Sequence, residues 1–196
     1  TGKGLYASEF KILNNIALKL REERNKKGSI NFDSPEIKFE LDENAKPIRA
    51  FVKEVKDSNR LIEDYMLLDN RKVAELLTKN LEKIKKGVYR VHENPNEDKL
   101  NVLNEFVNKI GFKVKINGQS NPAGAINKLL SKIEGKNEAN MVKNLILRTM
   151  QKAYYTTHNL GHFGLAFKFY THFTSPIRRY PDVLVHRLLD YCLYTN

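Results

Sequence analysis

The sequence predicts a single α+β domain that is mostly helical and carries a small antiparallel sheet. Apolar residues recur at the 3.6-residue period of a helix over several long stretches, and they alternate with polar residues in one short stretch. Glycine or proline stands at most of the predicted ends, where these residues interrupt regular structure. No internal repeat, low-complexity tract or obvious linker divides the 196 residues, which suffice for one domain with its own core.

The predicted helices are placed by apolar spacing and by the residues that end them. The first is expected over residues 8–27, because its apolar residues recur at helical spacing and Gly28 follows. The last is expected to begin at Ser175 and Pro176, since serine favours the N-cap and proline the first helical position. The other predicted helices cover residues 58 to about 87, the stretch between Pro95 and Gly111, residues 125–133 and residues 139–154.

The predicted sheet rests on a hairpin. Apolar and charged residues alternate strictly over residues 37–41, which is the period of a half-buried strand. A turn is expected over residues 43–47, and a second apolar-rich strand over residues 48–55. A short extended piece is expected at residues 88–92, and a strand or buried extended segment at residues 161–173.

The composition is strongly basic. The chain has 34 Lys and Arg residues against 23 Asp and Glu residues, for a net charge of +11. This excess suits a polyanionic partner, which can be a nucleic acid, an anionic membrane or an acidic protein, and charge alone does not choose among them. No apolar run approaches the ~20 residues needed to span a bilayer, so no membrane-spanning helix is predicted.

The cysteine content and the first ten residues bear on the cellular compartment of the protein. Cys192 is the single cysteine, which rules out an internal disulfide and a cysteine-rich zinc site. The first ten residues lack the apolar core of a signal peptide. A cytoplasmic protein is therefore expected.

The densest chemical signal is a pair of arginines near the C-terminus. Arg178 and Arg179 fall in the first turn of the predicted last helix, where the helix dipole disfavours cations. Two arginines at that end call for a compensating anion, and an RNA phosphate would serve because the guanidinium fork matches phosphate oxygens. Near a scissile phosphate, such a group would stabilise charge that develops in the transition state. The alternative is that the arginines pair with a protein carboxylate such as Asp182.

Several ordered strings together resemble the signature of the RNB family of exoribonucleases, of the RNase R and RNase II type. The C-terminal strings are Gly-His-Phe-Gly-Leu-Ala at 161–166, Thr-Ser-Pro-Ile-Arg-Arg-Tyr-Pro-Asp at 174–182 and His-Arg at 186–187. The upstream strings are similar to the family's LIEE-x-M-x-x-AN helix at 61–70, its R-x-H-x-x-P segment at 90–95, its LR-x-M-x-x-A-x-Y helix at 147–155 and its I-D-F-D…K-F segment at 30–39. The sequence departs from these at Asn31, Asp64 and Asp69, and the resemblance covers roughly residues 5–195.

The resemblance implies a processive enzyme that hydrolyses single-stranded RNA from its 3′ end to nucleoside 5′-monophosphates. It implies that Arg178 stabilises phosphate charge during catalysis, with Arg179 as a neighbour that shares RNA binding. It implies that Phe32 stacks on bases at the RNA 3′ end, for which a core phenylalanine is the alternative. Either Glu63 or Asp64 matches an acidic position near the terminal nucleotide, and a salt-bridged helix carboxylate is the alternative for both.

The resemblance also implies Mg²⁺, which the family holds with an aspartate cluster in the N-terminal part of the domain. The eight aspartates of this chain form no such cluster, so no metal ligand is expected in it. Residues 1–196 are therefore expected to be the C-terminal part of a single RNB catalytic domain, without the metal-binding segment and the OB-fold RNA-binding domains. The isolated piece is expected to be an inactive monomer that exposes apolar surface.

Three histidines, His162, His172 and His186, raise the question of a metal site. No carboxylate stands at an obvious ligand spacing beside the first two, so structural hydrogen bonding is the favoured interpretation. Two other functions also stay open. The chain can be a non-catalytic RNA-binding module, or a basic helical scaffold for an acidic protein that leaves the paired arginines unexplained.

Overall fold

The computed structural model describes residues 4–30, 37–116 and 122–194, and it confirms an α+β fold that is mostly helical. The helices are α1 (Ala7–Lys26), α2 (Asp57–Lys79), α3 (Leu81–Ile84), α4 (Glu97–Lys109), α5 (Pro122–Ile133), α6 (Ala139–Thr149) and α7 (Tyr180–Tyr194). The strands are β1 (Ile37–Leu41), β2 (Pro47–Val52), β3 (Tyr89–Val91) and β4 (Tyr154–Thr156), which form two antiparallel pairs, β1–β2 and β3–β4.

The main core lies among α4, α5 and α6. Amphipathic spacing places one apolar face of each helix inward, and α6 packs on both α4 and α5. The fully or almost fully buried residues of this core are Leu103 and Val107 from α4, Ile126, Leu129 and Ile133 from α5, and Val142 and Ile146 from α6. The same core extends to Ile30, whose N–H donates to the Gly164 carbonyl at 2.9 Å and so joins the helices to the C-terminal motif.

A second group of helices is formed by α1, α2, α3 and α7. Helix α1 packs along α2, and α7 packs on both α2 and α3. Small or apolar buried residues make the close contacts, among them Ala17 on α1 and Ala74 and Leu77 on α2. The β3–β4 pair is joined to the segment that follows it, because the Arg90 N–H donates to the Tyr170 carbonyl at 3.0 Å.

Two predicted helix boundaries are wrong by five residues each. The helix predicted to reach residue 154 ends at Thr149, and Tyr154 to Thr156 form β4 instead, as suits two consecutive tyrosines. The last helix begins at Tyr180 and not at Ser175, so Arg178 and Arg179 precede it in a turn. The reason is Pro181, which has no N–H to continue a helix begun earlier and would clash with the carbonyl four residues back.

Other predicted segments differ in detail. The long helix predicted from residue 58 is interrupted at Asn80, whose side-chain amide donates to the Leu76 carbonyl at 2.8 Å. The segment at residues 161–173, predicted as a strand or a buried extended segment, is irregular and mostly half-buried, with a short 3₁₀ turn at Phe163–Leu165 and isolated bridges at His162. Within the described part of the chain, none of the helices combines the length and apolar character needed to cross a membrane.

The β1–β2 hairpin is exposed on both faces. Its alternation predicts one covered face, but every residue of both strands is exposed to solvent, including Ile37, Phe39 and Ile48. Helix α1 likewise leaves Phe10 and Ile12 exposed. The expectation that this chain presents apolar surface therefore agrees with the structure.

The placement of the core can be tested by a matched pair of leucine substitutions. Leu129→Ala is expected to lower the free energy of unfolding by about 2–5 kcal/mol, because it leaves a cavity in a fully buried position. Leu147→Ala on α6 is expected to change it by less than about 0.5 kcal/mol, because that side chain is 41% exposed. Urea denaturation followed by circular dichroism measures both, and equal losses would contradict a core centred on α4–α6.

Candidate nucleic-acid interface

The turn before α7 is organised by a buried carboxylate. Asp182 is fully buried, and its Oδ1 accepts the Ser175 backbone N–H at 2.8 Å and an Arg179 guanidinium N–H at 2.9 Å. The Arg178 and Arg179 N–H groups both point to the Ser175 carbonyl, which closes the turn. The two arginines of the motif therefore differ in their contacts. Arg179 is paired with protein, whereas Arg178 is exposed and has no ion-pair partner in the part of the chain that the structure describes.

The strand-like segment that enters this turn is fixed by two helices. From α2, the buried Asn70 accepts the N–H groups of Phe173 and Thr174 through its Oδ1, at 2.9 Å and 3.2 Å. The Asn70 amide also donates to the Tyr170 hydroxyl at 3.2 Å. From α7, the His186 ring stacks on Phe173 with 4.0 Å between ring centroids, and its Nε2 lies 2.9 Å from the Phe173 carbonyl. These contacts hold the position of Ser175 relative to both helices.

Behind the turn, four aromatic rings form a continuous row, which we call the histidine row: His92, His162, Tyr170 and His172. Neighbouring centroids are 5.0 Å, 5.2 Å and 5.7 Å apart, each in an edge-on arrangement. The Gly164 N–H donates to His92 Nδ1 at 3.1 Å, and the Leu165 N–H to His162 Nδ1 at 3.3 Å. A Cβ at position 164 would lie 3.0 Å from His92 Nδ1, so glycine is needed for this close approach.

The histidines of this row are neutral at pH 7. Burial, together with the proximity of His92 and Arg90, lowers the pKa of His162 to about 3. Burial also lowers the pKa of His172 to about 4, with a further contribution from Arg179. Burial lowers the pKa of His92 as well. The geometry thus supports the structural interpretation of His162 and His172, because their ring nitrogens contact protein groups.

The surroundings of His172 are positively charged. The Tyr155 hydroxyl lies 2.6 Å from His172 Nδ1, and the Arg90 guanidinium lies 4.7 Å from the centroid of the Tyr155 ring. The positive charges of Arg90, Arg178 and Arg179 each lower the pKa of His172. The sequence does not single out Arg90 or Tyr155, although both stand in the motif strings, because nothing in it shows that β3 and β4 pair.

The two acidic candidates on α2 lie in different environments. Asp64 is 4% exposed, and its Oδ2 accepts two N–H groups of Arg21 at 2.6 Å and 3.0 Å, while an Arg24 nitrogen lies 3.5 Å from Oδ1. It therefore joins α1 to α2. Glu63, the preceding residue, is exposed to solvent. Phe32, the third candidate for RNA contact, lies outside the described residues.

Two open grooves flank His92 and His162. The larger, of about 980 Å³, is lined by the basic residues Lys99, Arg148 and Lys152 together with Tyr154. The other, of about 780 Å³, includes Lys27 and Lys168. Among the described residues there is no group of three or more His, Cys, Asp or Glu side chains that could hold a metal ion. The surface therefore offers positive charge along open grooves.

Comparisons with known proteins bear on this arrangement. A family model described as the RNB domain matches residues 2–195. Ribonuclease R of Aquifex aeolicus is 43% identical over 174 residues, which are 89% of this chain and 24% of that protein. A structure of Mycoplasma genitalium RNase R in complex with ribose-methylated single-stranded RNA covers 95% of this chain and 29% of its own, with TM-score 0.86 and 33% identity. The chain spans about a fifth to a quarter of the length of the curated relatives it matches.

A more distant structure shares the fold alone. Yeast Ssd1, described as a pseudonuclease, matches 73% of this chain and 18% of its own, with TM-score 0.61 and 24% identity. Likeness at this level speaks to architecture, because one fold hosts active and inactive proteins.

Adjacent substitutions on α2 separate a structural carboxylate from an exposed one. Asp64→Ala is expected to lower the free energy of unfolding by about 3–5 kcal/mol, because it leaves the largely buried Arg21 and Arg24 without their carboxylate. Glu63→Ala is the matched control, with an expected change below about 0.5 kcal/mol. Urea denaturation of both variants measures this, and a stable Asp64→Ala protein would contradict a structural role for the ion pair.

The neutral histidine row predicts acid sensitivity. Because the pKa of His162 is about 3 in the folded chain and near 6.5 in the unfolded one, the unfolded state binds the extra proton between these values. The stabilisation that comes from keeping His162 neutral is therefore fully present above about pH 6.5. Below that pH the free energy of unfolding falls, by up to about 1.4 kcal/mol per pH unit for this group. His162→Asn keeps an acceptor for the Leu165 N–H, and it is expected to flatten the dependence of unfolding free energy on pH.

The control for this experiment is His158→Asn, because His158 is exposed. Urea denaturation at a series of pH values from about 4 to about 7 gives the slope for each protein. A His162→Asn variant with the slope of the unmodified chain would show that this imidazole is not the group that binds the proton.

Proposed function

The chain belongs to the RNB domain family, and we propose that it forms the C-terminal part of the catalytic domain of an exoribonuclease that degrades single-stranded RNA processively from the 3′ end. The observation that carries the proposal is the exposed Arg178 guanidinium, held without a carboxylate partner among the described residues, next to the Arg179–Asp182 pair. A relative of this chain was solved in complex with single-stranded RNA. The proposed products are nucleoside 5′-monophosphates.

The proposed role of Arg178 is to bind the scissile phosphate and to stabilise the negative charge that grows on it during hydrolysis. A guanidinium donates two parallel hydrogen bonds to phosphate oxygens, and its charge is permanent. Arg179 and Asp182 support this role by fixing the turn from which Arg178 extends. Because the turn is fixed before RNA arrives, little reorganisation is needed when charge develops.

Magnesium is part of the proposal as the cofactor of the complete active site. The described residues contain no group of carboxylates and histidines that could hold it, so we assign no step of this chain to the metal. The ligands would come from residues outside the described ones. What this chain contributes is phosphate binding, RNA positioning and the scaffold behind both.

Phe32 and Glu63 complete the proposed RNA contacts. Phe32 is proposed to stack on a base near the 3′ end, which tolerates any sequence because every base has a π-face. Of the two acidic candidates, Glu63 is the one proposed to act near the terminal nucleotide, because it is exposed and Asp64 is already bonded to Arg21. We further propose that the enzyme acts as a monomer in the cytoplasm.

A second function is a non-catalytic RNA-binding module. Two observations favour it: the described residues hold no metal-binding group, and the fold also occurs in a pseudonuclease. Such a module would bind single-stranded RNA with steep salt dependence and would release no nucleotides when Mg²⁺ is added.

The Arg178→Ala variant of the full-length protein that carries this chain tests the catalytic role. Loss of one group that stabilises the transition state is expected to lower kcat about 100-fold to 1000-fold. Turnover of a 5′-labelled oligoribonucleotide, followed on a denaturing gel, measures this. Arg49→Ala on the exposed hairpin is the control, since Arg49 lies near Glu40 and outside the proposed site. Near-normal turnover of Arg178→Ala would overturn the assignment, and RNA binding without turnover in the unmodified protein would favour the module.

A further inference from the structure

We propose that Arg90 makes a second contact to the RNA backbone, separate from that of Arg178, with Tyr155 and His172 as the residues that position its guanidinium. The inference rests on the proposed RNA-degrading function and extends it to residues that lie in two other elements. It is carried by the pairing of β3 with β4, by the stacking of Arg90 on Tyr155 and by the charges around this pair.

The sheet register brings Arg90 and Tyr155 together. The two residues are direct partners across the antiparallel pair, and both lie on the same face of it. Their neighbours Tyr89 and Val91 are buried on the opposite face. The Arg90 backbone is fixed by its N–H, which donates to the Tyr170 carbonyl at 3.0 Å. The side chain of Arg90 is therefore directed away from the core by the alternation of the strand.

The Arg90 guanidinium stacks on the Tyr155 ring, whose orientation is fixed by a contact with His172. It lies 4.7 Å from the centroid of Tyr155, which is within the range of a cation–π contact. The Tyr155 ring cannot rotate freely, because its hydroxyl lies 2.6 Å from His172 Nδ1. His172 is in turn packed edge-on against Tyr170 at 5.7 Å. Stacking on an aromatic face leaves the N–H donors at the guanidinium edge available for phosphate oxygens.

The local charges leave Arg90 uncompensated by protein. No carboxylate forms an ion pair with Arg90 within the described ranges, and Asp182, which acts on the same His172, is bonded to Arg179. The charges of Arg90, Arg178 and Arg179 thus all act on the neutral His172 imidazole, and the carboxylate that opposes them there is Asp182. Like charges gathered in this way repel one another, and an anion from outside relieves the repulsion. An RNA phosphate bound at Arg90 would supply such an anion.

The experiment uses the full-length protein that carries this chain, with EDTA present so that RNA is bound and not hydrolysed. Fluorescence anisotropy with a fluorescein-labelled oligouridylate gives the dissociation constant over a KCl series from about 50 to about 200 mM. Arg90→Ala is expected to bind about tenfold more weakly at the low end of the series. The slope of log K against log salt is expected to become shallower by about 0.7, the value for one phosphate contact to a single strand.

Three further variants make the result specific to the guanidinium. Arg49→Ala is the matched control, since Arg49 also lies over an aromatic ring, Phe51, but on the exposed hairpin near Glu40, and its salt slope is expected to equal that of the unmodified protein. Arg90→Lys keeps the charge, so the slope is expected to stay while affinity falls with the loss of the donor fork. Tyr155→Phe keeps the ring and removes the hydroxyl bonded to His172, so affinity is expected to fall about threefold with an unchanged slope. Arg90→Gln replaces Arg90→Ala if the alanine variant does not fold.

The outcomes separate this inference from the function on which it rests. If the unmodified protein does not bind the oligonucleotide, the proposed function fails and this inference fails with it. If the unmodified protein binds and Arg178→Ala shows the shallower slope, but Arg90→Ala and Arg90→Gln match the unmodified protein, the function stands and the contact by Arg90 is wrong. A shallower slope for Arg49→Ala of the same size would also overturn it, because the effect would then report net charge alone.

Discussion

The arrangement of the candidate interface depends on one buried carboxylate. Asp182 accepts hydrogen bonds from the Ser175 backbone and from Arg179, and so it fixes the turn that separates the irregular motif segment from α7. A fully buried carboxylate without a cationic partner would be strongly destabilising, so Asp182 and Arg179 depend on each other. Because Arg179 is ion-paired with Asp182, the adjacent Arg178 is the arginine of the two without a carboxylate partner among the described residues, as the proposed contact to an external anion requires. The two consecutive arginines thus differ because Arg179, and not Arg178, reaches the buried Asp182.

The electrostatic character of the surface around the turn before α7 depends on the neutral histidines as well as on the charged arginines. Burial keeps His162 and His172 uncharged near neutral pH, so they add polar surface and packing without adding charge. The fixed positive charges are then those of the guanidinium groups, which do not titrate. Asn70 and His186 hold the backbone between them, and this rigidity keeps the cations in place without RNA. A site built in this way binds a polyanion with little reorganisation.

The sequence predicts most of the elements, and it fails where two local signals compete or where distant segments meet. Helix α4 and the hairpin follow from apolar periodicity and from the residues that end them. The start of α7 does not, because an attractive Ser-Pro signal is overruled by Pro181 a few residues later. The choice between Glu63 and Asp64 needs the structure, since adjacent residues on a helix point about 100° apart and only packing shows which side α1 covers. The contact of Arg90 with Tyr155 likewise depends on strand pairing that carries no local signal, and Phe32 stays a prediction.

The β1–β2 hairpin has a practical consequence for anyone who prepares this chain alone. Its two strands carry apolar side chains on exposed faces, and each has an outer edge whose backbone amides and carbonyls lack a neighbouring strand in the described part of the chain. Such an edge is a template on which another extended segment can add, including the same hairpin of a second molecule. Light scattering or anisotropy recorded on the piece by itself would then mix self-association with ligand binding. Dilution series and a solubilising fusion at the N-terminus, near the exposed face of α1, are the appropriate safeguards.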